Sequence, residues 1–453
     1  MNRKSVDQLR LWEQDHVWHP CTQASDLESH PAELVVKGRG VWLWTAGGRK
    51  ILDAVSSWWV NLFGHADRRI RSAVGKQLKK LEHVIFANYT HEPAIRLARG
   101  LAGLFPGLNR VFFSDNGSTA VEVSLKMSYQ FWRQSGKPER DTFIYIKGAY
   151  HGETLGALSV GSLGLYKQVF ERLLFGAVEA EGPDCFRCPF GKTRENCAAE
   201  CFAGTEKKID EIAGRLAGVI VEPILQCASG MNIYPPVYLR KLRAATRDRN
   251  VHLICDEVAS GFGRTGKMMA SQHAEIAPDF AVLSKGLTGG FLPLGATLAG
   301  EEVFKAFYGP YESGKAFMHS HSYTGNPLSC AAGCAVLRIF KDPAIFGMID
   351  AKGKMIRKEL EVLKDHENTG EIRQIGMVAA IELVKDRGSK TPFTPSLRLG
   401  YRIYREAERN GVLLRNLGDV IYFMPPYSIN RFEIKFMVKT AAAAIRSVLK
   451  SQG

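Results

Sequence analysis

The chain has 453 residues, 45% of them hydrophobic and 23% charged, with a formal net charge of +14. That is globular composition, with enough apolar mass for two or three packed units. No apolar run approaches the ~20 residues that span a bilayer, and the polar start MNRKSVDQLRLWEQDH lacks the apolar stretch of a secretory signal. The basic excess is scattered among Asp and Glu rather than gathered in one run, which speaks against a nucleic-acid partner. The expectation is a soluble, cytoplasmic protein that binds neither nucleic acid nor membrane.

In chain order, GVWLW, a turn containing Gly47 and Gly48, and KILDA read as a hairpin. From about Leu104 short apolar runs alternate with helical patterns. RVFFSD predicts a strand, and STAVEVSLKMSYQFW a helix with Val121, Leu125, Tyr129 and Trp132 facing a core. TFIYIK, AGVIVEPI, VHLICDEV, FAVLSKG and GATLAG follow as compact apolar runs, suited to strands covered on both faces. Such alternation predicts an α/β fold, a mostly parallel sheet flanked by helices. Ligands of such sheets bind beyond the carboxyl ends of the strands, where Asp115, Asp256 and Lys285 are expected to converge. The last third changes character: a helical IRKELEVLKDH and strand-like GEIRQIGMVAAIELV and DVIYFMPPYSI predict a smaller α+β unit. The expected division is a large α/β domain over 66–329, a small α+β domain over 330–453, and an N-terminal segment, 1–65, packing with the small domain.

Nine cysteines, an odd number with no secretory signal, imply reduced thiols. Four of them, Cys185, Cys188, Cys197 and Cys201, fall in an insertion spanning 183–203. The first pair has zinc-ribbon spacing and the second a helical i, i+4 spacing. The intervening loop is short and lacks other ligands, so no metal is assigned.

The chemistry gathers around AVLSKGLTGG, where Lys285 follows an apolar run and small residues flank it. A buried ammonium is costly unless it is paired or used, and a desolvated lysine amine is a nucleophile suited to forming a Schiff base. SDNGSTAVE ends a strand and opens a helix at Gly117 and Ser118, an anion-binding arrangement without the glycine pattern or lysine of a nucleotide loop. Asp256 ends the apolar VHLIC run and needs a cationic partner; a protonated pyridine nitrogen is one, Arg264 another. Val258, two residues on, points the same way and can pack on a ring face. Tyr150, in GAYHGET beside His151, can stack on a flat cofactor. Ser322 and Thr324 precede a second helix start near Pro327 and can hold phosphate oxygens. Together these call for one ligand, a flat heteroaromatic aldehyde bearing a phosphate: pyridoxal 5′-phosphate.

The order and context of Asp256 and Lys285, in DEVASGFGRTGKM … PDFAVLSKGLTGG, resemble the class III, or ω-amino-acid, aminotransferases over nearly the whole chain. The resemblance implies the fold type I architecture of pyridoxal-phosphate enzymes. LWEQDHVWHPCTQ, DAVSSWWVNLFGHAD, FMHSHSYTGNPLSCAA and GVLLRNLGDVIYFMPPY are similar to one branch, which transaminates 8-amino-7-oxononanoate to 7,8-diaminononanoate in biotin biosynthesis. It implies Lys285 as the Schiff-base lysine and proton carrier, Asp256 on the pyridine nitrogen, and Tyr150 on the ring. Gly117 and Ser118 would hold the phosphate, joined by Ser322 from the other subunit of a homodimer, with Glu222 beside the cofactor. Trp58 and Trp59 would wall the substrate pocket, Arg415 would clamp the substrate carboxylate, and Tyr422 would line that end. The donor implied is S-adenosylmethionine. However, Cys21 stands where members using it usually have tyrosine; the alternatives are the same reaction with L-lysine as donor, or another class III ω-amino-acid aminotransferase activity.

Overall fold

The computed structural model describes residues 3–451. Its largest element is a seven-stranded sheet, in the order Arg110–Ser114, Gly295–Ala299, Phe280–Leu283, His252–Asp256, Leu216–Val221, Thr142–Ile146 and Val178–Ala180. The strand Gly295–Ala299 runs antiparallel to both its neighbours, and the remaining pairs are parallel. Every residue of Leu216–Val221, His252–Asp256, Phe280–Leu283 and Gly295–Ala299 is buried. That explains why these runs read as unbroken apolar stretches rather than as alternating ones.

The helix Gly117–Gln134 packs across this sheet. It buries Val121, Leu125 and Trp132, as the spacing predicts, but Tyr129 is exposed. At about 100° per residue, Tyr129 lies roughly 80° around the helix from Val121, at the edge of the apolar stripe. Its ring instead carries the Arg133 guanidinium at 5.6 Å.

The expected hairpin forms, Trp42–Thr45 against Lys50–Asp53, and a further strand, Val35–Arg39, joins it. On its other side Lys50–Asp53 pairs in parallel with Val412–Leu413, so the start and end of the chain share a sheet. A second small sheet runs Thr369–Ile375, Val378–Leu383, Val420–Phe423 and Arg415–Leu417. Position 330 lies inside the helix Pro327–Ile339, which packs on the helices Arg68–Leu78 and Glu92–Ala102. One apolar core runs continuously from Leu97 and Phe105 to Met437 and Ile445. These two sheets therefore hold Trp58, Arg415 and Tyr422 in fixed relation to the strand ends of the large sheet.

Candidate active site

Lys285 follows the strand Phe280–Leu283 by two residues and opens a tight turn, Lys285–Thr288. Its φ is +45°, a left-handed conformation that a non-glycine residue rarely holds and that tends to persist at functional sites. The residue faces a cavity of about 590 Å³ at the carboxyl rim of the large sheet. It keeps some surface because the cavity opens onto it, yet the surrounding protein desolvates the amine and pushes its pKa below the ordinary lysine value. Cys227, Asp256 and Glu222 oppose that shift more weakly. Nζ lies 4.7 Å from the centre of the Trp59 ring. The shift raises the share of the unprotonated, nucleophilic amine relative to an exposed lysine.

Asp256, at the end of its strand, is buried in the same cavity. One carboxylate oxygen accepts the Val258 N–H at 2.9 Å and the other pairs with His151 Nδ1 at 2.7 Å. Arg264, the local cation that could have claimed it, instead donates to the carbonyls of Trp59, Asn61 and Pro425. His151 is itself buried, and its Nε2 has no hydrogen-bond partner. Glu222 accepts the backbone N–H groups of Tyr150 and Cys227 at 3.2 and 3.1 Å. Burial, reinforced by the nearby Asp256, raises its carboxyl pKa to about 7. Tyr150 and Val258 line the same cavity.

The opposite wall is a helix N-terminus. Asn116 caps Gly117–Gln134 through a reciprocal bond with Thr119, which leaves the N–H groups of Gly117 and Ser118 facing the cavity. A Cβ on Gly117 would stand 2.8 Å from Val258 Cγ1, so only glycine lets the helix start approach this wall. The Ser118 hydroxyl pairs with Thr154 Oγ1 at 2.7 Å. Amine, carboxylate and anion-binding helix end thus face one space, with an unpartnered imidazole nitrogen behind the carboxylate. These are groups that fit a planar pyridine aldehyde bearing a phosphate.

Trp58 and Trp59 form another wall, and their backbone is unusual. Ser56, Ser57, Trp58 and Trp59 have φ values of +52°, +45°, +71° and +72°, one complete left-handed turn. Such a turn costs roughly 1–2 kcal/mol per residue and survives only where its surroundings hold it. The turn places Trp59 inside, with Nε1 donating to the Tyr422 hydroxyl at 3.1 Å. Trp58 faces outward with the Arg415 guanidinium 5.1 Å from its ring centre. Arg415 and Tyr422 are directly opposed across antiparallel strands. Neither lines the cavity around Lys285. Arg415 lines a second cavity of about 1020 Å³, which meets the first at Cys21.

Several expected residues sit elsewhere. Asp115 does not line the Lys285 cavity, and its carboxylate lies 3.7 Å from His321 Nδ1. Ser322 is exposed and also outside this cavity. Cys185, Cys188, Cys197 and Cys201 are free thiols, and burial raises Cys185 to about 12 and Cys201 to about 11. Among the described residues no group of three or more His, Cys, Asp or Glu side chains is arranged to hold a metal ion. The insertion acts as a strap. Arg187 pairs with Glu382 and Arg194 with Glu371, while Arg373 bridges both carboxylates and the carbonyls of Gly230 and Met231.

Three cavity neighbours carried too little local signal to receive a role from sequence. His151 is adjacent to Tyr150 but is tied to Asp256 only in space. Glu153, also in GAYHGET, accepts the Tyr150 hydroxyl at 2.9 Å and lines the cavity. Tyr166 reaches the Cys21 sulfur at 3.7 Å, with its hydroxyl pKa raised to about 12, chiefly by burial.

A lysine amine, a buried carboxylate and a helix-end anion site at the rim of such a sheet are the working parts of a pyridoxal-phosphate enzyme. The family model for class III aminotransferases matches residues 24–445, and the chain belongs to that family. Among curated relatives it is 44% identical to the adenosylmethionine-8-amino-7-oxononanoate aminotransferase of Geobacter sulfurreducens, covering 97% of this chain and 98% of that one. It is 38% identical to the enzyme of the same name from Aquifex aeolicus, covering 98% of each. The crystal structure of the adenosylmethionine-8-amino-7-oxononanoate aminotransferase from Methanocaldococcus jannaschii superposes with a TM-score of 0.92 at 37% identity, over 98% of this chain and 99% of that one. An ω-transaminase from Pseudomonas jessenii, solved in complex with PMP, gives 0.93 at 30% identity over 98% of each chain.

Proposed function

We propose that this chain transaminates 8-amino-7-oxononanoate to 7,8-diaminononanoate for biotin synthesis, with S-adenosylmethionine as amino donor. The observation that carries the reading is the path from Lys285 to Arg415. Trp59 stands over the amine, Trp58 over the guanidinium, and the two are consecutive. A long apolar chain with an amine-accepting ketone at one end and a carboxylate at the other matches that path, since indole rings suit the methylenes and a guanidinium suits the carboxylate. Full-length relatives carrying that enzyme name support the same substrate and the same donor.

Pyridoxal phosphate, when bound, supplies an electron sink for the carbon next to the reacting nitrogen. Lys285 Nζ, whose pKa burial lowers, would anchor the aldehyde and would carry the proton at that carbon. Asp256, oriented by His151, keeps the pyridine nitrogen protonated. The N–H groups of Gly117 and Ser118 receive the phosphate, and Val258 and Tyr150 confine the ring. Glu222, its carboxyl pKa raised to about 7 by burial, sits at the edge of the same cavity and titrates near neutral pH. Arg415 receives the substrate carboxylate end, and Tyr422, buried beneath the wall, holds the Trp59 indole in place. Ser322, exposed in one protomer, completes the phosphate site of the other in a cytoplasmic homodimer.

Steady-state turnover with a panel of amino acceptors tests this reading. 8-Amino-7-oxononanoate is expected to have the highest kcat/KM. A preference for an acceptor without a distant carboxylate would overturn the assignment and leave only the family.

A further inference from the structure

We propose that Asp53 is a positioning residue for substrate binding, clamping the left-handed turn Ser56–Trp59 so that the two tryptophans form the pocket wall. The inference rests on the substrate reading above but concerns a residue outside the cavity. Asp53 ends the strand Lys50–Asp53 and is fully buried. Its Oδ1 accepts the N–H groups of Val55 at 3.2 Å and Ser57 at 2.9 Å. Its Oδ2 accepts the Ser57 hydroxyl at 2.7 Å and pairs with His65 Nε2 at 3.0 Å. Four bonds therefore converge on one buried carboxylate, and three of them come from the turn or the residue leading into it.

The surroundings are shaped for this clamp. His65 is fixed by a reciprocal backbone pair with Gly40. A Cβ on Gly38 would lie 2.8 Å from His65 Cβ, so the absence of a side chain there admits the imidazole. Ser56 Oγ donates to the Met424 carbonyl at 2.7 Å, and the Trp59 carbonyl accepts from Arg264 at 3.1 Å. No glycine or asparagine eases the four left-handed residues. Their conformation has to be imposed from outside, and Asp53 makes the largest share of the side-chain bonds that impose it. If the turn relaxes, Trp58 leaves Arg415 and Trp59 leaves both Tyr422 and the Lys285 amine. The chain-binding wall then opens, while Asp256, His151 and Gly117, on other elements, stay in place.

The test compares holoenzymes carrying Asp53→Ala, Asp53→Asn and the double change Asp53→Ala with Ser57→Gly. Kinetics are read with 8-amino-7-oxononanoate, alongside near-ultraviolet circular dichroism of the cofactor-free forms. Losing charge-assisted bonds of this kind predicts a KM raised about tenfold or more in Asp53→Ala. The kcat should change by less than about threefold, the tryptophan dichroism should alter, and the absorbance of the lysine-bound cofactor should persist. Asp53→Asn retains one acceptor oxygen and is expected to show a smaller KM rise; it carries the test if Asp53→Ala does not fold. Glycine at 57 accepts positive φ freely, so the double variant should recover much of the lost KM. A merely structural role would lower thermal stability yet leave KM within twofold of wild type and gain nothing from Ser57→Gly, and that result would overturn the proposal. If the wild-type enzyme does not turn over 8-amino-7-oxononanoate, the substrate reading falls. The dichroism of Asp53→Asn still decides whether the carboxylate holds the turn.

Discussion

Glu222→Gln gives a pH-dependent prediction that can be worked from the structure. Burial, with Asp256 nearby, raises the Glu222 carboxyl from 4.5 to about 7 in the folded protein. An acid whose folded pKa is raised binds its proton more tightly when folded than when unfolded. Its contribution to stability is full below about pH 4.5 and is lost as pH rises through about 7. The span is about 2.5 units, and at 1.36 kcal/mol per unit that is on the order of 3 kcal/mol. Glutamine cannot titrate. It also turns an NH₂ group toward one of the two backbone donors, from Tyr150 and Cys227, at a pH-independent cost of about 1 kcal/mol. The assay is urea denaturation of the cofactor-free wild type and variant at fixed protein concentration, from pH 4.5 to 8. The difference should be constant in sign at the acid end and shift in favour of the variant by about 3 kcal/mol as pH rises. Parallel profiles across that window would refute the reasoning, because they would mean that Glu222 ionises without penalty in the fold.

Asp256→Asn removes the carboxylate proposed to face the pyridine nitrogen and should lower kcat by about a hundredfold or more, measured at saturating substrate. Arg415→Ala should raise KM for 8-amino-7-oxononanoate by about 10- to 100-fold with little change in kcat, the loss of a bidentate charge-assisted contact. Trp59→Phe leaves the buried Tyr422 hydroxyl without its indole donor, costing about 1–3 kcal/mol in denaturation experiments. Tyr129→Ser, on the exposed edge of its helix, should change stability by no more than about 0.5 kcal/mol.

The sheet was legible because buried strands carry their signal locally. Each of VIV, LIC, AVL and GATLA is covered on both faces, and each emerged as an uninterrupted apolar run. Lys285, Asp256 and Gly117 were legible for a related reason, since each sits where an apolar run stops and a polar or small residue begins. Tyr129 was misplaced because helical spacing gives an angle but not the width of the buried stripe. The left-handed turn at Ser56–Trp59 carried no warning. Positive φ is ordinarily announced by glycine or asparagine, and SSWW contains neither. What imposes it is Asp53, Arg264 and Met424, two of them far away in sequence. The pairing of His151 with Asp256 was hidden for the same reason, as it joins two strand ends of one sheet. The cysteine spacing gave no account of the insertion, whose contacts include the ion pairs of Arg187 and Arg194 with the small sheet.

The most direct measurement is a half-reaction followed by absorbance. The purified yellow holoenzyme is mixed with S-adenosylmethionine alone, then with 8-amino-7-oxononanoate. Bleaching of the lysine-bound cofactor by the first, and its return with formation of 7,8-diaminononanoate on adding the second, is the predicted result. Bleaching by L-lysine instead would change the donor and keep the substrate. Failure of 8-amino-7-oxononanoate to restore the absorbance, whichever amine had bleached it, would contradict the account.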